Sequence, residues 1–459
     1  MSYSTEIFVF IFFPLVFLVY ILGRTTKNRN LILLGASLIF YLWGGFQSGI
    51  LLITSLIVNY ILSLLIRRRK KILLFAVIYN IGMLGVFKYA GFIYDIFNNI
   101  FIKYGLELTW NRPDIIQPIG ISFFTFSVLS YVIDIYCEKT DAQRNIIDFS
   151  LYMIMFPKIV SGPIVRYIDI KNELGKRLHN SDQIYTGLRR FCVGFTKKVF
   201  LANQLSKVAD TIFGYEWALH PIYAWIGVFS YTLNIYLDFS SYSDMAIGIA
   251  NIFGFHFKEN FNYPYISISI QEFWRRWHIS LSSWFKDYIY IPLGGNRKGK
   301  IRTYINQLVV FFLTGLWHGA SWNFVIWGLY HGVFLTIEKL TGFCLKIPKW
   351  LSYIYTMIVV MIGWVFFRID NLENAFRYIG YMFGFNKGIL KNVTLIRCFT
   401  PQYLIILLLS VIVSVPIGPK VADLIKQEWI KDMAILIVFF VAICYMVAGD
   451  YNPFIYARF

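Results

Sequence analysis

The sequence predicts an all-α protein that crosses a membrane several times. Its 459 residues are 58% hydrophobic and 19% aromatic, only 15% are charged, and the mean hydropathy is +0.58. That composition is too apolar for an ordinary soluble globule. Long apolar runs alternate with short basic clusters, and an apolar run of about 20 residues crosses a bilayer as a helix. Because the chain has no internal repeat and no low-complexity linker, we expect residues 1–459 to form one integral-membrane domain.

The first two basic clusters predict the orientation of the N-terminal helices. No cleavage signal follows the apolar run 7–22, so we expect this run to remain as a span. Basic residues follow it at 24–29 and recur at 67–71, after a run (31–65) that is long enough for two crossings broken at a pair of glycines. The positive-inside rule places both clusters in the cytoplasm and the N-terminus outside.

The next apolar runs predict one outward crossing, one inward crossing and a broken helix. Residues 72–93 return to the outer face, and residues 115–136 come back to the cytoplasm. The run 149–167 is interrupted by Pro157 and ends near Gly162. Such breaks are tolerated in a bilayer only where protein or water covers the freed backbone groups. This run therefore predicts a broken or re-entrant helix.

Charged residues within two further segments call for polar partners. Residues 185–203 mix four basic side chains with large apolar ones, which predicts a basic helix lying on the inner membrane surface before or while it enters the bilayer. The apolar run 221–255 contains Asp238 and Asp244. Carboxylates at membrane depth are costly unless they are paired, so both of these need partners.

An amphipathic cytoplasmic helix is predicted over residues 271–288. Its large apolar residues recur at intervals of three and four, and His278 falls within their stripe and therefore points inward. The stripe consists of Trp274, Trp277, Leu281, Trp284 and Tyr288. The glycine-rich basic turn 292–300 follows. It lacks the spacing of a nucleotide-binding loop, so a phosphate contact is the most that it indicates.

His318 is the strongest candidate for a functional residue. It stands in a run, 304–337, without lysine, arginine, aspartate or glutamate. A histidine there either bonds a neighbouring helix or faces a cavity with a function. The Gly-Ala-Ser step at 319–321 permits a bend that lets a ligand approach the backbone. His278 belongs to another segment, which suits two histidines lining one tunnel, whereas His331 would face a different side of a straight helix from His318.

The C-terminal part predicts the last spans and an extracytoplasmic tail. The apolar runs are 357–367, 403–415 and 433–448, and weakly charged residues between the last two favour the cytoplasmic side. The last helix then exits, which leaves the aromatic tail 450–459 on the outer face. Both termini are therefore expected outside the cytoplasm.

Several function classes are disfavoured by the sequence. The net charge of +18 comes from clusters between apolar runs, which indicates contact with the lipid bilayer and its anionic leaflet rather than with nucleic acid. Five scattered cysteines argue against disulfides and a zinc site, and no histidine pair has metal-ligand spacing. No Gly-x-Ser-x-Gly motif supports a serine nucleophile. A buried neutral imidazole can accept a proton from a hydroxyl, and general-base catalysis of acyl transfer fits that ability.

Several motifs resemble those of the membrane-bound O-acyltransferase family. The stretches 271–282, 317–319 and 330–332 carry the resemblance. Four others narrow it to the alginate O-acetylase branch: 118–124, 162–167, 238–245 and 290–297. The resemblance runs from about residue 118 to the C-terminus. It implies a bundle of about eleven spans with re-entrant segments around a membrane tunnel, with His318 as the catalytic histidine and His278 as a second active-site histidine.

The resemblance also implies an acyl donor, a polymer that receives the acyl group and a cellular location for the protein. Acetyl-CoA is the expected donor, without a cofactor or a metal, and the bacterial inner membrane is the expected location. An extracytoplasmic acetyltransferase partner would modify the polymer, which the sequence leaves open among alginate, another exopolysaccharide and peptidoglycan. We expect seven residues near the histidines to contact donor or substrate: Arg275, Arg276, Trp277, Lys286, Arg297, Asp238 and Trp317.

The tail supplies a third candidate for catalysis. Residues 454–459 resemble the aromatic C-terminal motif of this branch, whose tyrosine is proposed to carry the acyl group, and Tyr456 is the matching residue. A phenol has a pKa of about 10, so its ester stays activated for onward transfer. An interfacial aromatic anchor is the alternative role for Tyr456. D-alanyl transfer to teichoic acids is the alternative within the family, and a proton-coupled transporter is the alternative from a different class.

Overall fold

The computed structural model describes residues 2–106, 111–160, 162–177, 179–214, 219–386, 399–449 and 453–455. Within these ranges every regular element is a helix, which confirms the all-α prediction. Four of the described helices are long and apolar enough to cross a membrane, and a pair bent by 81° adds a fifth crossing if it is one span. The prediction of a multi-pass membrane protein is confirmed, whereas the count of about eleven spans stays a prediction.

The N-terminal part contains nine helices, several of them shorter than a full span. They are α1 (Phe13–Leu22), α2 (Thr26–Leu42), α3 (Phe46–Ile66), α4 (Ile72–Leu84), α5 (Ala90–Lys103), α6 (Ile121–Tyr136), α7 (Ile146–Ile154), α8 (Phe156–Ile159) and α9 (Tyr167–Gly175). Two π-helical segments adjoin them, Ile7–Phe12 before α1 and Gly85–Tyr89 between α4 and α5. The break around Pro157 is confirmed, since α7 ends before it and the four-residue α8 contains it.

A long helical hairpin forms the centre of the molecule. Its elements are α10 (Ser181–Thr196), a π-helical segment (Lys197–Ala202), α11 (Asn203–Phe213) and the 32-residue α12 (Pro221–Ile252). Glycines let the two sides approach closely. A Cβ atom at Gly194 would lie 2.8 Å from the carbonyl oxygen of Ser241, and one at Gly248 would lie 2.7 Å from that of Gly187. Small residues at membrane helix interfaces have this effect.

The location of residues 185–203 at the inner membrane surface stays a prediction. Two of their basic side chains face α12, where Lys198 pairs with Asp238 at 2.5 Å and Lys197 with Asp244 at 2.8 Å. The two carboxylates therefore have the partners that the sequence required. The spacing of basic and apolar residues is the same whether the basic face meets water or buried carboxylates, so the sequence pattern alone does not predict these ion pairs.

The C-terminal part begins with two short helices and continues as longer ones. They are α13 (Ile270–Arg276), α14 (Ile279–Phe285), α15 (Lys300–His318), α16 (Trp322–Thr341), α17 (Phe343–Lys346), α18 (Lys349–Arg368), α19 (Leu372–Met382), α20 (Pro401–Val413), α21 (Ile417–Leu424) and α22 (Glu428–Val447). The bend after His318 is confirmed, because α15 and α16 form a hairpin around residues 319–321. Gly315 and Gly328 leave no room for a Cβ atom between these helices.

The predicted single helix over residues 271–288 is wrong, although its apolar stripe is buried. The helix breaks at Trp277, which is extended, and at His278, which has a φ of 45°. Such a left-handed conformation is uncommon for a residue other than glycine and occurs where the surroundings hold it in place. The stripe remains inside because both short helices pack with their aromatic residues against the bundle.

Candidate active site

His318 is the last residue of α15 and is buried in an aromatic pocket. Its ring centroid lies 4.9 Å from those of Trp317 and Trp327 and 5.3 Å from that of Phe367. The side chain also lines a cavity of about 460 Å³, which we call the His318 cavity. Other residues lining this cavity are Lys88, Gln117, Asp210, Asn234, Arg368 and Ile455. The histidine thus combines apolar surroundings with access to a polar space.

Two neighbouring residues of another helix hold the end of α15 in place. The hydroxyl of Tyr89 donates to the carbonyl oxygen of Leu316 at 2.7 Å. The ammonium group of Lys88 donates to the carbonyl oxygen of Trp317 at 2.5 Å and to that of His318 at 3.4 Å. The last carbonyl groups of a helix have no partner within it and favour a nearby cation. Lys88 and Tyr89 therefore fix the backbone that carries His318.

Lys88 is a functional candidate that sequence reasoning missed. It belongs to the π-helical segment Gly85–Tyr89, is buried, and donates also to Ser122 at 3.2 Å. Interruptions of this type occur frequently at functional sites in helical proteins. A signal was available in the sequence, because Lys88 is the one charged residue in the apolar run 72–93. A lysine within a membrane segment marks a functional site by default.

His278 lies at the break between α13 and α14 and is completely buried. Its Nδ1 atom lies 3.1 Å from Oδ1 of Asn260, which also accepts a hydrogen bond from the Ser280 hydroxyl at 2.8 Å. Because this oxygen can only accept, the neutral ring carries its proton on Nδ1 and has an unprotonated Nε2. No described residue hydrogen-bonds to that Nε2. Asn260 was also missed by sequence reasoning, since a loop asparagine carries no motif of its own.

Trp317 lies between the two histidines. Its ring centroid is 6.0 Å from that of His278 and 4.9 Å from that of His318. The structure thus brings together two histidines that are far apart in sequence, and their lining of one tunnel stays a prediction. His331 lies on α16, and its ring centroid is 5.4 Å from that of Trp327. It is buried behind Trp327 and does not line the His318 cavity.

A second cavity of about 710 Å³ lies along the other part of α12, and we call it the Arg190 cavity. Its lining includes Arg190, Lys197, Ser243, Asp244, Glu259 and Asn260. Arg190 donates to both Asp244 and Glu259, at 2.9 Å and 2.6 Å. Asn260 connects this cavity to His278. The two histidines are therefore associated with different cavities and approach each other at Trp317.

The C-terminal segment enters the bundle between these cavities. Phe454 is buried, and its ring stacks on that of Tyr242 with centroids 4.4 Å apart. The backbone N–H of Ile455 donates to Oδ2 of Asp238 at 2.8 Å, and Ile455 lines the His318 cavity. Tyr456 lies outside the described residues. The described part of the tail is thus inserted among helices.

The expected donor-contacting residues fall into two groups. Asp238, Trp277 and Trp317 are buried near the histidines, whereas Arg275, Lys286 and Arg297 are exposed. Arg276 is half-buried, where it pairs with Glu272 at 2.8 Å and donates to the carbonyl oxygen of Asn262, a residue of the Arg190 cavity. Among the described residues, no three histidine, cysteine or acidic side chains are grouped so as to hold a metal ion.

Comparisons with known proteins identify the family of the chain. The sequence model of the membrane-bound O-acyltransferase family matches residues 109–373. A probable alginate O-acetylase AlgI of Pseudomonas putida is 38% identical over 490 aligned positions, covering 100% of each chain. A peptidoglycan O-acetyltransferase of Helicobacter pylori is 35% identical over 84% of this chain and 80% of the relative. A teichoic acid D-alanyltransferase of Bacillus subtilis is 29% identical over 54% of this chain and 66% of the relative. The chain belongs to the membrane-bound O-acyltransferase family and is an O-acyltransferase.

Proposed function

We propose that this enzyme moves acetyl groups from cytoplasmic acetyl-CoA across the bacterial inner membrane for O-acetylation of an envelope polysaccharide. The observation that carries the proposal is the series of ring contacts from His278 through Trp317 to His318, which lies between Asn260 of the Arg190 cavity and the His318 cavity. Relatives named for O-acetylation of alginate and of peptidoglycan support acetate as the group and a polymer as its destination. Which polymer receives the acetate is not distinguished by these relatives.

The position of the basic clusters supports the Arg190 cavity as the donor side. The hydroxyl of Tyr20, near the end of α1, donates to the carbonyl oxygen of Phe253 at the end of α12. The basic cluster 24–29 follows α1, so that end of α12 belongs to the predicted cytoplasmic side. The Arg190 cavity lies towards the same end, since Asp244 lines it. Its arginine and lysine suit a phosphate-bearing donor such as acetyl-CoA.

His318 acts as the general base in this proposal. It removes the proton from an attacking hydroxyl, the oxygen bonds to the thioester carbonyl carbon, and the carbon–sulfur bond breaks. The departing CoA thiolate receives the proton from His318, so the step balances without a metal or a cofactor. His278 has an unprotonated Nε2 with no protein partner among the described residues, and it approaches the same place from the donor side.

Tyr456 is the proposed attacking hydroxyl and acyl carrier. Ile455, which precedes Tyr456 in the chain, lines the His318 cavity. The phenyl ester would then present its acetyl group to an extracytoplasmic acetyltransferase partner. The alternative is that Tyr456 only anchors the tail at the interface. Intact-mass measurement after incubation with acetyl-CoA separates the two roles, since a carrier gains one acetyl group that Tyr456→Phe lacks.

Turnover by the purified protein tests the proposed function. We expect thioester cleavage of acetyl-CoA that disappears in His318→Ala, whereas solute flux that is unaffected by this change would indicate a transporter. A D-alanyl thioester on a carrier protein is the competing donor, because a relative is named for D-alanyl transfer. Preference for that thioester over acetyl-CoA would contradict the proposal. Loss of ester-linked acetate from the envelope polymers of a deletion strain would identify the acceptor.

A further inference from the structure

The buried ion pair Lys198–Asp238 has a third partner, which is the C-terminal segment. Both side chains are almost fully buried, and their charged groups lie 2.5 Å apart. Oδ2 of Asp238 accepts the backbone N–H of Ile455 at 2.8 Å. A backbone amide contact of this kind does not depend on which side chain Ile455 carries. The acidic residue thus binds the main chain of a segment that is more than 200 positions away in sequence.

Aromatic residues next to this ion pair pack against the same C-terminal segment. Phe454 stacks on Tyr242 and lies 5.8 Å from the ring of Phe239, and the ring of Phe239 lies 4.7 Å from that of His278. Asp238, Phe239 and Tyr242 are all on α12. They occupy the part of this helix between Asn234, which lines the His318 cavity, and Ser243, which lines the Arg190 cavity.

A contribution to stability alone does not explain why the Lys198–Asp238 pair is buried here. Removing two charges from water costs several kcal/mol for each ion, and an apolar pair of similar volume is often as stable. The Lys198–Asp238 pair instead presents a fixed carboxylate oxygen at the boundary between two cavities. Lys198 lies in the π-helical segment Lys197–Ala202, an interruption of the type that is frequent at functional sites.

We propose that Lys198 and Asp238 form the docking site of the C-terminal segment 453–455, which lies between the two cavities and whose residue Ile455 lines the His318 cavity. Asp238 binds the main chain at Ile455, and Phe454 fills the space between the aromatic rings of α12. Both residues are positioning residues, because they act through the tail. Their effect on acetyl transfer rests on the proposed carrier role of Tyr456, whereas docking itself does not.

Hydrogen–deuterium exchange of the Ile455 amide tests docking without reference to catalysis. The double variant Lys198→Met/Asp238→Leu removes both charges together, so neither is left unpaired and the fold is expected to persist. We expect the Ile455 amide to exchange at least about tenfold faster in this variant than in the wild-type protein, because its acceptor is gone. Arg112→Met/Asp95→Leu, which removes an exposed ion pair elsewhere, is the matched control. Equal exchange in the wild-type protein and the Lys198/Asp238 variant would overturn the proposal.

Acetylation of the tail provides the second arm of the experiment. If the wild-type protein gains an acetyl group on Tyr456, the Lys198→Met/Asp238→Leu variant should gain at least about tenfold less in the same time, because misplacement of a reacting group is costly. Undiminished acetylation in that variant would refute the positioning role. If the wild-type protein gains no acetyl group and the exchange result holds, the carrier hypothesis fails and the docking site stands.

Discussion

The two cavities differ in the side chains that line them, although one helix, α12, borders both. The His318 cavity, about 460 Å³, contains the buried histidine, the helix-capping Lys88 and the end of the described tail. The Arg190 cavity, about 710 Å³, is larger and contains a network of arginine, lysine and two carboxylates. Both cavities carry charged side chains, and we propose a division of labour in which the Arg190 cavity, towards the predicted cytoplasmic end of α12, binds the donor and the His318 cavity carries out the transfer.

Among the changes that test this division of roles, substitution of His318 should have the largest effect on activity. We expect His318→Ala to lower kcat for acetyl-CoA cleavage by at least about 100-fold, because a positioned general base contributes about 10²–10⁴ in rate. Acetyl-CoA binding should persist, since the donor occupies the other cavity. Steady-state kinetics and equilibrium binding measure the two effects. His256→Gln, at an exposed histidine, is the control, and a comparable loss there would remove the case for His318.

Removal of the Lys88 charge should have the next largest effect. We expect Lys88→Met to lower kcat by about 10- to 100-fold at an unchanged KM for the donor, because the carbonyl groups of Trp317 and His318 lose their donor and the histidine shifts. Lys88→Arg should restore part of the activity.

Lys158 provides a matched control for Lys88. It is also a buried lysine, and its ammonium group lies 3.9 Å from the ring centroid of Tyr152 and 3.5 Å from the Ser127 hydroxyl. It does not line the His318 cavity. Lys158→Met should therefore leave kcat within about twofold of the wild-type value, because Lys158 contacts neither the His318 cavity nor the backbone that carries His318. Equal losses in Lys88→Met and Lys158→Met would show a general effect of buried lysines.

A change in the Arg190 cavity should affect donor binding rather than the chemical step. Lys197→Gln removes one cation of this cavity, while Asp244 keeps its contact with Arg190. We expect KM for acetyl-CoA to rise about fivefold with little change in kcat, because a phosphate contact contributes to ground-state binding. Initial rates at several salt concentrations measure this effect. A fall in kcat at unchanged KM would contradict the assignment of this cavity to the donor.

The smallest effect on activity is expected from a change in the scaffold that both cavities share. Gly194→Ala places a Cβ atom 2.8 Å from the Ser241 carbonyl oxygen and 2.9 Å from the backbone nitrogen of Met245. We expect a loss of about 1–3 kcal/mol in stability, because α10 must move away from α12. Thermal unfolding in detergent measures it. Gly82→Ala, where the added atom meets nothing within 4 Å, should leave the midpoint nearly unchanged.

The sequence predicted the fold class and the two histidines for identifiable physical reasons. An uncharged run such as 304–337 is typical of a membrane-buried segment, and His318 stands out within it because an ionisable group there is costly. The bend at 319–321 followed from its small residues. The relation between the cavities was not predictable, because it depends on Asn260 and Ile455, whose contacts are long-range and follow no local pattern.

The ion pairs of residues 185–203 were not predictable for a related reason. A helix with one basic face and one apolar face has the same sequence whether that basic face meets lipid headgroups or the carboxylates of α12. Asp238 and Asp244 were recognised as needing partners, and Lys197 and Lys198 were recognised as basic. Pairing them required the helix packing, which Gly187, Gly194 and Gly248 make possible.

Mass spectrometry of the C-terminal peptide after exposure to acetyl-CoA tests the central claim most directly. That claim is that His318 activates a hydroxyl of the tail for transfer where the two cavities approach each other. The wild-type protein should carry an acetyl group on Tyr456, and His318→Ala should carry none under the same conditions. Equal acetylation of Tyr456 in both proteins, or an acetyl group only on another residue, would contradict the account.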